Sequence, residues 1–116
     1  VRALAASLTA ALVTLAAGPA TALTGAEWQK LPPPARAAYV SGVVDAWVGL
    51  VTVQESLGNR DGGITVFADV VTCLRERLIG PDKILAAVER YVADQPGLRS
   101  KDMPDIVFVA VGPLCR

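Results

Sequence analysis

Pro81-Asp82-Lys83-Ile84-Leu85-Ala86-Ala87-Val88-Glu89-Arg90-Tyr91-Val92-Ala93-Asp94 is the stretch on which the fold turns. Ile84, Leu85, Val88, Tyr91 and Val92 recur at i, i+1, i+4, i+7 and i+8, the spacing of one apolar stripe on an α-helix. Lys83, Glu89, Arg90 and Ala93 take the outer side. Gly80-Pro81 in front is a stop and restart, because proline's missing N–H costs nothing at a first helical position. Gln95-Pro96-Gly97 ends the element.

Upstream, the same period runs from about Ile64 to Leu78, with Phe67, Val70, Val71, Leu74 and Leu78 expected inward and Cys73 at the edge of that stripe. Leu57-Gly58-Asn59-Arg60-Asp61-Gly62-Gly63 reads as a loop by composition. Before it, Pro34 to about Leu57 is helical by spacing, with Tyr39, Val43, Trp47 and Leu50 on one stripe. Its valines favour strand, but strict alternation is absent. Gly42 and Gly49 stand seven apart inside this helix, either to admit a close neighbour or merely to weaken it. Thr24-Gly25-Ala26-Glu27 has the spacing of a capping box. It opens a short helix carrying Trp28 and Leu31, which Pro32-Pro33-Pro34 ends.

Downstream, Ser100 to Asp105 reads as a turn and helix start, with Asp102 and Asp105 favoured near a helix N-terminus. Ile106 to Val111 is strand-like by propensity. A single strand has no partner in this chain, so a short buried helix is expected. Gly112-Pro113 stops it before Cys115. The expected fold is all-α: a small four- to five-helix bundle closed by one disulfide.

The 116 residues include 11 basic and 11 acidic side chains, no histidine and two cysteines, a length that suits one small domain. Residues 1–22 read as a secretory signal peptide: Arg2, an apolar run from Ala3 to Ala17, the breaker Gly18-Pro19, and a small-x-small site before Leu23. The run is short of the roughly 20 residues that span a bilayer, so no stable membrane span is expected after cleavage. Val1 is what a GTG start codon translated literally gives, and with the many Ala, Val, Gly and Arg residues it fits a bacterial source. Residues 23–116 form the expected mature helical domain, periplasmic or secreted. In an oxidising compartment Cys73 and Cys115 have one intrachain pairing available. It closes a loop of about 42 residues and contributes about 4 kcal/mol in the chain-entropy model. An intermolecular bridge and a redox role are the alternatives, but there is no C-x-x-C and no histidine to lower a thiol pKa.

The balanced charge and lack of a basic run argue against nucleic acid. Absent histidine excludes a histidine triad and, with only two cysteines, the common zinc sites. Ser41, Ser56 and Ser100 lie in no nucleophile elbow and no S-x-x-K. Asp102 and Asp105 are explained by a helix start, while Asp45 and Glu55 are ten residues apart. Gly62-Gly63 lacks the Lys-Ser/Thr of a phosphate loop. No enzyme activity, metal or cofactor is expected, which leaves binding. Tyr39 and Trp47 are core residues or a ligand platform. The loop at Asn59, Arg60 and Asp61 is a plain connector or a contact surface held out by a rigid bundle, and these three are the candidate partner-binding residues.

Tyr39-Val40-Ser41-Gly42-Val43-Val44-Asp45, then Ile84 to Val92 with Asp94-Gln95-Pro96 after it, then an apolar segment ending Pro113-Leu114-Cys115, together resemble the Rap/Tai family of periplasmic immunity proteins. The resemblance covers roughly residues 24–115 and rests mostly on packing positions. It implies an all-α, secreted, disulfide-stabilised protein that binds and blocks a peptidoglycan amidase effector of type VI secretion. Members often place Cys-x-Pro just before the penultimate helix, whereas Cys73 lies eight residues before Pro81. The alternative expectation is a periplasmic stress chaperone similar in build to HdeA-type proteins. An oligomer is compatible with either.

Overall fold

The computed structural model describes residues 21–116. The signal segment expected at 1–22 therefore lies, but for its last two residues, outside the described residues. Five α-helices follow one another: α1 (Gly25–Gln29), α2 (Pro33–Ser56), α3 (Gly62–Glu76), α4 (Pro81–Asp94) and α5 (Met103–Val111). Two 3₁₀ turns, Pro96–Ser100 and Gly112–Cys115, flank α5. The described residues contain no strand, only an isolated antiparallel bridge between Thr24 and Asp102. The fold is the all-α bundle expected, and Cys73 and Cys115 are joined with their Cα atoms 5.9 Å apart.

The strand-like run after Asp105 is helical because of where it sits. Met103, Ile106, Val107, Ala110 and Val111 of α5 are all buried. They meet Ile84, Val88 and Val92 of α4 and Val40, Trp47 and Val51 of α2 in one core. An element apolar on nearly every side is satisfied only by burial on several sides, and a helix also closes its own hydrogen bonds without a neighbouring strand. The N-terminal end of α5 is satisfied from outside. Its first N–H, on Met103, donates to the Leu23 carbonyl at 2.7 Å, and the Gly25 N–H donates to the Lys101 carbonyl at 2.9 Å. Asp102, at the cap position, makes no side-chain capping bond.

Helix α1 begins at the predicted box: the Glu27 carboxylate accepts from the Thr24 N–H and hydroxyl at 2.8 Å each, and the Thr24 hydroxyl accepts from the Glu27 N–H at 3.3 Å. Helix α2 starts one residue earlier than expected, at Pro33, because consecutive prolines fit its first two positions. By length and hydropathy it would suffice to cross a bilayer. In this bundle it places Val40, Trp47 and Val51 in the core. Trp47 forms a three-ring cluster with Phe67 of α3 and Phe108 of α5, centroids 5.2–5.8 Å apart, which settles its reading as a core residue.

Two readings are corrected, and one left open is decided. Leu50 is not inward; the buried stripe runs Val40, Trp47, Val51, which turns Leu50 toward solvent. Leu78 is 86% exposed, because α3 ends at Glu76 and the chain has already turned. Gly42 and Gly49 admit no neighbour: a Cβ at either would meet nothing within 4 Å. The close approach falls at Gly25 instead, where a Cβ would lie 2.9 Å from the Leu98 carbonyl oxygen.

Candidate functional site

The α2–α3 connection is built from two overlapping motifs. Helix α2 ends in a Schellman turn: the Asn59 N–H donates to the Gln54 carbonyl and the Gly58 N–H to that of Glu55, with Gly58 at φ 71°. The position that in such turns carries a hydrophobic contact is polar here, since Asn59 Nδ2 donates to Gln54 Oε1 at 2.7 Å. Asn59 Oδ1 accepts from the Asp61 N–H at 3.2 Å, and Asp61 Oδ1 caps α3 by accepting from the Ile64 N–H at 3.0 Å. Helix α3 therefore starts at Gly62, two residues before the expected Ile64, because Asp61 is a good N-cap.

Of the three candidate contact residues, Asn59 and Asp61 have structural work in shaping the loop. Arg60, between them, is exposed and makes no hydrogen bond or ion pair among the described residues. Leu50, Val53 and Leu57 recur at i, i+3 and i+7, so they share one face of α2 leading to this loop. All three are exposed, Leu57 by 74%, as is Val66 one turn into α3. The hairpin end thus presents apolar side chains and one uncommitted guanidinium beside a hydrogen-bonded loop.

A second feature lies at the other end of α3. A groove of about 350 Å³ runs between α2, α3 and the start of α4, with Val44, Val48, Leu74 and Ile79 among its apolar walls. Asp45 on the α2 side and Arg75 on the α3 side also line it. The turn that bounds it is a Schellman motif as well: the Ile79 N–H donates to the Leu74 carbonyl at 2.9 Å and the Leu78 N–H to that of Arg75 at 3.2 Å. Here the left-handed position is held by Leu78, at φ 52°. Sequence periodicity missed this turn because it extended the α3 stripe through Leu78. The usual signal for such a turn, a glycine, is absent.

The disulfide is reinforced one turn along. Arg77 lies four residues after Cys73 and donates to the main-chain oxygens of Leu114 and Arg116 at 3.3 and 3.0 Å. The end of α3 thus holds the C-terminal segment covalently and by hydrogen bonds, and both cysteines are consumed in the link. Among the described residues no three His, Cys, Asp or Glu side chains converge as a metal ion would require. No family model matches this chain, and neither does any curated protein or solved structure.

Proposed function

We propose that this chain is an exported helical binding protein that grips a protein partner with the distal end of its α2–α3 hairpin, and that the partner is a cell-wall amidase effector that it blocks. One observation carries the binding reading: Arg60, and the exposed Val53, Leu57 and Val66 toward the adjoining ends of α2 and α3, accompany a loop whose backbone is already fixed by Asn59 and Asp61. Apolar anchors beside an arginine, on a pre-ordered loop, are what a contact surface needs to bind without a large ordering cost. The amidase as partner rests on the family resemblance of the sequence.

The test is co-purification with, and inhibition of, a secreted amidase encoded beside this protein. Binding that weakens tenfold or more in Arg60→Glu and Leu57→Asp supports the proposal. No complex with any secreted neighbour removes the immunity role. A chaperone of the acid-activated kind would instead expose dye-binding apolar surface near about pH 2–3 with its disulfide retained, as the carboxylates lose their charge.

A further inference from the structure

We propose that two copies of this chain associate through the groove beside the α3–α4 turn, the Leu78 side chain of each entering the groove of the other, with Asp45 of each copy facing Arg75 of its mate. The surface is at the opposite end of α3 from the hairpin loop, so the inference stands apart from the partner proposed above.

Three observations meet there. Leu78 is the only non-glycine residue with positive φ among the described residues, and its side chain is 86% exposed. The left-handed conformation is unfavourable for a branched apolar residue, and Leu78 recovers little by packing against the described residues. The equivalent position at the end of α2 is Gly58, the residue such a turn ordinarily takes. Strain held at an exposed apolar residue points to work done outside the chain.

Next to this knob is a hole. Ile79, the residue after Leu78, lines the groove with Leu74, Val44 and Val48, and the groove is large enough for an aliphatic side chain. The charges complete the match. Asp45 and Arg75 line the same groove from different helices but do not pair, the single ion pair among the described residues being Arg36–Glu89. A two-fold axis brings residue i of one copy to residue j of the other and j to i. A face with one knob, one hole, one acid and one base is therefore complementary to itself. A single knob and groove fall below the roughly 1,200–2,000 Å² of a stable interface, so the association is weak.

The test is sedimentation equilibrium of the oxidised protein over about 10 µM to 1 mM, the range in which a weak contact becomes populated. The mass is expected to rise from monomer toward dimer across that range. Leu78→Gly is expected to melt higher than the parent, because the turn is relieved, and to weaken association at least tenfold. A purely structural Leu78 predicts no such split. Leu78→Asn, which also tolerates the left-handed region, should lose association without unfolding. Asp45→Arg should weaken association, and Asp45→Arg combined with Arg75→Asp should restore it. A monomer at every concentration overturns the proposal. So does dimerisation that is undiminished in Leu78→Gly, or that the double charge reversal fails to restore.

Discussion

The indole Nε1 of Trp28 donates to the main-chain oxygen of Arg36 at 3.2 Å, while the Arg36 guanidinium lies 5.6 Å from the centroid of the same ring. Helix α1 has five residues, too few to persist alone. Its tryptophan, almost wholly buried, fastens it to the first turn of α2, and Arg36 reaches on to Glu89 of α4 at 3.5 Å. Trp28→Ala is expected to cost about 3–5 kcal/mol, as loss of a large buried ring does. Glu89→Gln should cost no more than about 1 kcal/mol, since the ion pair is partly solvated. Urea midpoints of the two variants measure the contrast.

The glycines divide by what surrounds them. A Cβ at Gly25 would meet the Leu98 carbonyl oxygen at 2.9 Å and Ile106 Cδ1 at 3.1 Å. Gly25→Ala should therefore destabilise by about 1–3 kcal/mol, the usual range for overpacking. Gly42→Ala and Gly49→Ala fill open space on a helix and should each stabilise by about 1 kcal/mol. Thermal melts of the three variants should shift in opposite directions.

The Cys73–Cys115 link and the Arg77 hydrogen bonds hold the same segment. Replacing both cysteines by alanine is expected to lower stability by about 4 kcal/mol. Arg77→Ala in the oxidised protein should cost about 1 kcal/mol or less, because the covalent link still positions the tail and the side chain is exposed. Melts of each variant with and without reductant separate the two contributions.

Glu27 accepts hydrogen bonds from the Thr24 N–H first and the Thr24 hydroxyl second, and these hold its carboxyl below the usual carboxylate range. With the folded value depressed, the stabilisation is present above the unfolded pKa and is lost as pH falls through the folded one. Glu27→Gln keeps an acceptor but does not titrate. The parent should be the more stable near neutrality, and the difference should close on acidification. Melting temperatures of both proteins, followed from neutral pH into acid, provide the check.

The loop residues separate shape from contact. Asp61→Ala removes the cap on Ile64 and should cost about 1 kcal/mol. Arg60 has no hydrogen-bond or ion-pair partner among the described residues, so Arg60→Glu should change stability by less than about 0.5 kcal/mol. Only the second should reverse the charge offered to the proposed partner while leaving the fold as it was. Urea titration alongside binding measurements distinguishes them.

Most helices were legible because their signals are local. The Thr24–Glu27 box, Pro81 at a helix start and the Ile84–Val92 stripe each act within one or two turns, and α4 has the bounds its spacing predicts. Spacing places Trp47 of α2 inward but misplaces Leu50, because that helix is apolar nearly all round. Periodicity then cannot say which apolar residues face the core. The α2–α3 loop was visible as composition, but not the division of labour in it, since Asn59 and Asp61 look as available in sequence as Arg60 does.

By itself the sequence determined an all-helical chain with one intrachain disulfide available to it. Helical spacing, prolines and glycines act on the backbone nearest them, and two cysteines leave a single pairing within the chain. Tertiary structure alone decided that Val40 and Val51 are buried while Leu50 turns to solvent, that Gly25 and not Gly42 or Gly49 is the point of close approach, and that Leu78 stands exposed in a left-handed turn beside a groove. Each of these depends on which distant segments come within van der Waals reach, a relation that residue order does not carry.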